Sequence, residues 1–328
     1  MLDIVLWFCL MVGGIILVIF SSKIAVTNSA LLATALGISP LIIGVTLVSI
    51  GTDISEIFNS LISCARGYGD IDVGDSVGSD LAQLTLVFGL LPIICGAFHI
   101  HRRDIIILGT CELLSLLVIF SVVEKGYISR LNALFMVGSL GIYIWLIYNS
   151  NKKSIIHRFE LVEIEKPERK KKSCLLFAIV GFLGVTVAAV MIVESVINIS
   201  RLLYVDEYII SFYILAIGTS LPELAVDINA LRLKQHSIAV GDIVGSCIVD
   251  STLSIGIGQV FWPQAVNATL AIPTILFTII ASFIVITTVA IRKKIDKKAG
   301  VFFIMVYFTS YILPFLPVYD FLKAINLI

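Results

Sequence analysis

Two six-residue stretches carry the chemistry of this chain, GTDISE at 51–56 and GTSLPE at 218–223. Each sets a carboxylate, Glu56 or Glu223, four residues after a threonine, Thr52 or Thr219, inside a run of Leu, Ile and Val. At helical spacing Thr52, Glu56, Asn59 and Ser63 share one face, and so do Thr219, Glu223 and Asp227. Further oxygen stripes follow, Asp75, Ser79 and Gln83 in the first half and Asp242, Ser246 and Asp250 in the second, each at i, i+4, i+8. Helices patterned in this way converge carboxylates, hydroxyls and carbonyls on one centre, with no nitrogen or thiolate donor at the repeated positions. Such a donor set suits hard cations.

A carboxylate at the centre of a bilayer costs about 2.5–3.5 kcal/mol even on lenient insertion scales. Glu56 and Glu223 therefore call for a cation or a proton, and their combined charge matches one divalent ion. The Gly-Thr pairs, with Pro222 in the second copy, permit each helix to unwind and free carbonyls as ligands. Asp75 and Asp242 follow glycines, where helix capping is as natural as ion binding. Asp80 and Asp227 have no acidic counterpart in the other copy. Glu112 and Glu194 lie outside the repeated segments, where a packing or interfacial role is expected. The four histidines (His99, His101, His157, His236) map to predicted loops or helix ends, and Trp7, Trp145 and Trp262 mostly lie near span ends.

The elements that must position these residues are membrane spans. Hydrophobic residues make up 59% and charged residues 14% of 328, and the mean hydropathy is +1.06, so the chain reads as an integral membrane protein. Residues 4–20 lack the build of a cleavable signal peptide and read as the first helix. Apolar windows predict about ten helices, near 4–21, 39–66, 72–98, 104–123, 130–148, 174–196, 206–232, 238–262, 268–291 and 300–318. The expected division is 1–148, a basic linker at 149–173, and 174–328. Six scattered cysteines form no CxxC pair, zinc pattern or disulfide framework. The linker, HRR at 101–103, Arg232 with Lys234, and RKKIDKK at 292–298 fall on one side by span counting; the positive-inside rule makes it cytoplasmic and places both termini outside.

GTDISE aligns with GTSLPE at an offset of 167 residues, which also superposes IDVGDSVGSDLAQLTLVFG (71–89) on IAVGDIVGSCIVDSTLSIG (238–256). Roughly a third of positions 51–89 match, including Gly51/Gly218, Asp75/Asp242 and Ser79/Ser246, which marks an internal duplication. Five helices separate the copies, so the second enters the membrane from the opposite side. The expected fold is an all-α polytopic membrane protein of two inverted five-helix repeats with discontinuous core helices.

GTSLPE followed by GDIVGSCIVD, with a diverged copy upstream, resembles the alpha-repeats of the cation/calcium antiporter superfamily, most closely its sodium/calcium exchanger branch. The resemblance covers both repeat cores and the ten-helix layout. It implies alternating access, with the first and sixth helices sliding over the core. It also implies that Glu56 and Glu223 bind calcium with the carbonyls of Thr52 and Thr219. Ser49, Ser79, Ala216, Ser220 and Ser246 are the implied sodium ligands, and Gln83 and Asp250 hold the flanking amide and carboxylate positions. The first copy departs from the pattern: Asp53 stands for the usual Ser, Ser55 for Pro and Gln83 for a shorter Asn. With Asp53 and Asp250 the centre reaches a charge that one calcium ion cannot balance, so one of the two is expected to hold a proton in some states.

The reading is sodium-driven calcium antiport, with proton-coupled, potassium-dependent or magnesium transport on the same fold as the alternative. A channel fits less well, since inverted repeats favour alternating access. No nucleophile with a paired base and no phosphate loop suggests an enzyme. No cofactor, nucleic acid or obligate protein partner is expected; the lipid bilayer, calcium, sodium and a proton are, and the expected location is the plasma membrane.

Overall fold

Backbone polar groups find no partner in lipid, so spanning segments must satisfy them internally, and the apolar runs of this chain close into helices. The computed structural model describes residues 2–35, 49–159, 171–232, 236–316 and 324. In the first half, α1 (Leu2–Ala35) precedes an interrupted helix, α2 (Ser49–Thr52) and α3 (Ile54–Ala65). Next, α4 (Gly69–Leu81) runs through a π-helical segment, Ala82–Val87, into α5 (Phe88–Ile94). β1 (Phe98–His99), α6 (Arg102–Val123), β2 (Tyr127–Ile128) and α7 (Arg130–Phe159) complete that half.

The second half opens with α8 (Lys171–Leu203) and α9 (Glu207–Ile210). A π segment, Ser211–Leu215, leads into α10 (Ala216–Thr219) and α11 (Leu221–Arg232). Then α12 (His236–Val249), a π segment at Asp250–Ser254 and α13 (Ile255–Phe261) mirror α4 and α5. β3 (Gln264–Ala265), α14 (Ala268–Arg292), β4 (Lys294–Ile295) and α15 (Lys297–Thr309) follow, with a 3₁₀ turn over Ser310–Phe315.

Among the described residues eight helices are long and apolar enough to cross a membrane. Two predicted spans account for the difference from ten. Residues 39–48 of the second lie outside the described residues, and the last is the shorter α15 with its 3₁₀ turn. α7 continues to Phe159, so 149–159, read as linker, is helical there, and α8 begins at Lys171.

The halves repeat element by element: α2 and α10, α3 and α11, and α5 and α13 share bounds at the 167-residue offset. Packing repeats as well. A Cβ on Gly89 would lie 2.7 Å from the Gly300 carbonyl oxygen, where α5 crosses α15; the counterpart crossing sets Gly256 of α13 against the Ala133 carbonyl of α7 at 3.1 Å.

Two short antiparallel ribbons show the inversion. β1 pairs with β4, Phe98 opposite Ile295, and β2 pairs with β3, Ile128 opposite Gln264. β1 and β2 flank the spanning helix α6 and therefore lie at opposite ends of it. β1 and its counterpart β3 are thus at opposite ends too. The β1–β4 ribbon also joins HRR at 101–103 and RKKIDKK at 292–298 on one side, as span counting requires.

Many polar side chains are buried within the apolar core, and many large apolar ones are exposed. α7 turns Leu131, Phe135, Ile142 and Trp145 outward, as a lipid-facing surface would, while Thr52, Glu56, Ser63, Asp75 and Ser79 of the first half and Thr219, Glu223, Asp227, Asp242 and Ser246 of the second are buried.

Candidate cation site

Both interrupted helices break one residue after the Gly-Thr pair, at Asp53 (φ −75°, ψ 12°) and Ser220 (φ −81°, ψ 1°), rather than at the pair itself. The backbone ladder resumes with Ile57 N–H donating to Asp53 O at 3.0 Å and Leu224 N–H to Ser220 O at 3.3 Å. Thr52 and Thr219 consequently end short helices, where the last carbonyls lack the usual intrahelical donors.

At this double break Asp53, Glu56 and Glu223 meet. All three are buried, and a carboxylate oxygen from each lies within 4.8 Å of the others. Glu56 Oε2 accepts from Ser55 Oγ at 2.7 Å, whereas Glu56 Oε1 and both carboxylate oxygens of Asp53 and Glu223 have no hydrogen-bond partner. Oxygens bonded to one calcium ion at about 2.3–2.6 Å are separated by up to about 5 Å, so the spacing fits a single hard cation.

The surrounding hydroxyls follow the internal symmetry. Thr52 Oγ1 and Ser246 Oγ are 3.3 Å apart, and their counterparts Thr219 Oγ1 and Ser79 Oγ are 3.2 Å apart. Ser79 and Thr219 adjoin Glu56, and Ser246 adjoins Asp53. Gln83 and Asp250 lie on the π segments, where the widened turn brings them together: Gln83 Nε2 donates to Asp250 Oδ2 at 3.2 Å, and Ser254 Oγ donates to Asp250 Oδ1 at 3.1 Å.

Other expected ligands are engaged elsewhere. Ser49 Oγ donates to Asp242 Oδ1 at 3.4 Å, and the Ala216 carbonyl accepts from Ser220 N at 3.1 Å and Ser220 Oγ at 2.8 Å. Asp75 and Asp242 are not helix caps. Their helices start at Gly69 and His236, and both acids are buried in the core. Asp75 accepts from Asn59 Nδ2 at 3.1 Å and Thr219 Oγ1 at 3.2 Å. Asp227, which shares the Glu223 stripe, is buried with neither oxygen paired. Glu194 reaches Arg66 in a partly exposed ion pair, as an interfacial residue would, but Glu112 is fully buried.

The model of the sodium/calcium exchanger protein family matches residues 6–149 and 173–316, one stretch in each half. The chain belongs to this family. It is 28% identical to the inner membrane protein YrbG of Escherichia coli over 268 residues, 79% of this chain and 81% of that protein. Its fold is similar to the sodium-calcium exchanger NCX_Mj, with a TM-score of 0.63 and 22% identity over 94% of this chain and 98% of that one. It is also similar to the H+/Ca2+ exchanger CAX, with a TM-score of 0.74 and 17% identity over 97% of this chain and 85% of that one. Membership makes the protein a multi-pass cation exchanger, and the fold it shares serves exchangers named for different counter-ions.

Proposed function

We propose that this exchanger carries calcium against sodium by alternating access, with Asp53, Glu56 and Glu223 as the central ligands. The observation that carries this reading is the buried triad, whose carboxylates offer one oxygen each at a spacing suited to one divalent ion and leave five of their six oxygens without a hydrogen bond. The carbonyls of Thr52 and Thr219 and the hydroxyls of Ser79, Ser220 and Ser246 complete the oxygen set. Ser49, Ala216, Gln83 and Asp250 join it when the helices shift and their present hydrogen bonds open. Residues 1–148 and 174–328 are the two inverted repeats, joined by the 149–173 linker on the cytoplasmic face of the plasma membrane, with both termini outside, and the first and sixth spans slide over the core they form.

A second reading, proton-coupled calcium transport, is favoured by charge. Asp53, Asp75, Asp80, Asp227, Asp242 and Asp250 are buried together with Glu56 and Glu223, while no lysine, arginine or histidine is buried among the described residues. A single calcium ion leaves most of that charge uncompensated.

The deciding experiment is radioactive calcium uptake into sodium-loaded proteoliposomes diluted into sodium-free buffer, with Glu56→Gln and Glu223→Gln beside the wild type. Uptake that needs internal sodium and vanishes in both variants is expected. Uptake driven only by a proton gradient would replace sodium with protons, and uptake unaffected by both substitutions would remove the triad from the transport path.

A further inference from the structure

One buried acid stands outside the repeated motifs and outside the triad. Glu112, on α6, is fully buried, and neither of its carboxylate oxygens has a hydrogen-bond partner. The corresponding stretch of α14, around Thr278 and Ile279, contains no acid, so the internal duplication does not account for it.

The neighbours of Glu112 come from several elements. From α14 the Ser282 hydroxyl adjoins it, itself buried and unpaired. From α4 comes Asp80, whose Oδ1 is unpaired while Ser251 Oγ donates to Oδ2. Cys247, from α12, donates through Sγ to Gln83 Oε1 at 3.3 Å. From α7, Tyr143 adjoins Cys111, the residue preceding Glu112. Asp250, on the π segment beside α6, is one step further through its bond to Gln83. All the charged groups in this set are acids.

An ionised carboxylate with no hydrogen bond and no counter-charge, buried at membrane depth beside another carboxylate, is among the least favourable arrangements available to a side chain. A proton on Glu112 relieves it and still leaves an acceptor for the Ser282 hydroxyl beside it. A cation entering the triad changes the balance, because added positive charge in this low-dielectric interior favours the ionised acid.

We propose that Glu112 is a second cation-binding site of this protein, specific for a proton, which it holds while the triad is empty and releases as the triad fills. The O–H bond breaks, its electron pair stays on the carboxylate and the proton leaves to water. The proposal rests on the triad being a cation site, and it holds whether the driving ion is sodium or the proton itself.

The test uses the full chain, purified in detergent and weakly buffered with a pH indicator, as calcium is added to saturation. Wild type is expected to release about one proton more per chain than Glu112→Gln, the share of one titrating site. Glu112→Gln should still bind calcium, which reports that it is folded, and Glu112→Asp should restore the release. In parallel, the infrared carbonyl band of a protonated carboxylic acid is expected in calcium-free wild type and diminished in Glu112→Gln. Equal proton release from wild type and Glu112→Gln, or an infrared band unchanged by the substitution, overturns the proposal. Failure of wild type to bind calcium would instead count against the triad, and the infrared comparison would still decide whether Glu112 holds a proton.

Discussion

Gln83 donates through Nε2 to Oδ2 of Asp250 at 3.2 Å, and the two residues occupy the same position of the two repeats. A contact between repeat counterparts lies on the axis that relates the halves. With two glutamines the contact would lose its charge, and with two aspartates it would become repulsive; the mixed pair gives a charged acceptor its donor. Gln83→Met leaves that oxygen without its donor, and a stability loss of about 1–3 kcal/mol is expected. Thermal unfolding in detergent reads it. Adding Asp250→Asn should recover part of the loss, since an unpaired amide is cheaper to bury than an unpaired charge. A double variant no more stable than Gln83→Met would show that the hydrogen bond does not hold the halves together.

Asp53 puts a third carboxylate where its repeat counterpart Ser220 has a hydroxyl. Asp53→Ser therefore reduces the triad to the two glutamates. Calcium binding is expected to weaken by roughly tenfold to a hundredfold, since ligand charge tunes oxygen-liganded calcium sites over wide ranges. The pH dependence of uptake should flatten at the same time, because a pair of glutamates is balanced by one divalent ion. Calcium isotherms at several pH values check both, and unchanged affinity would exclude Asp53 as a ligand.

Gly78 fixes how closely the halves approach. A Cβ there would stand 2.3 Å from the Phe212 carbonyl oxygen and 2.7 Å from Ala216 Cβ, so α4 must move away from the backbone of the other repeat. Gly78→Ala is expected to destabilise the fold by about 1–3 kcal/mol, the usual range for overpacking. Gly141→Ala, on the exposed side of α7 with nothing within 4 Å, should not lower the melting temperature, since alanine suits a helix interior better than glycine. Equal effects of the two substitutions would contradict the close contact between the halves.

Asp296 caps α15 outside the membrane spans, accepting from Ala299 N–H at 3.0 Å and pairing with Arg292 at 2.8 Å. The Ala299 N–H, with the nearby cations Arg292 and Lys294, holds its carboxyl below the ordinary aspartate range. Its contribution is therefore complete above the unfolded-state value of about 3.9 and is lost as pH falls through the lower folded-state value. Asp296→Ala should lower the melting temperature at neutral pH, while Asp296→Asn, which keeps an acceptor for the cap, should lower it less. A drop that persists unchanged below the folded-state value would rule out the ionised cap.

The broken helices, the inversion and the two glutamates were legible because each rests on a local pattern that occurs twice. The site of the break was less so. Gly and Pro announce that a helix can open, but Asp53 and Ser220, where it does open, carry no such mark. The π segments under Gln83 and Asp250 gave no compositional signal, so the contact between those residues had to come from the structure. The glycine before Asp75 and before Asp242 makes capping as natural as ion binding, yet their helices begin a turn or more earlier. Glu112 was hardest to place, because a lone acid in an apolar span reads the same whether it turns towards lipid headgroups or the interior. Only the packing of α6 against α14 and α12 settles its burial.

The two ribbons make the membrane orientation testable. His99 and Lys294 face each other across β1 and β4, and Tyr127 and Ala265 across β2 and β3, at opposite ends of α6. All four are exposed, so single cysteines placed there in a background lacking the six native ones report sidedness. The basic residues beside β1 and β4 predict that end to be cytoplasmic. His99→Cys and Lys294→Cys should react with a membrane-impermeant maleimide only after cells are opened, and Tyr127→Cys and Ala265→Cys should react in intact cells. The reverse pattern would invert the orientation and leave the fold untouched. Labelling of His99→Cys and Lys294→Cys from different sides would break the ribbon, and with it the structural evidence that the repeats are inverted.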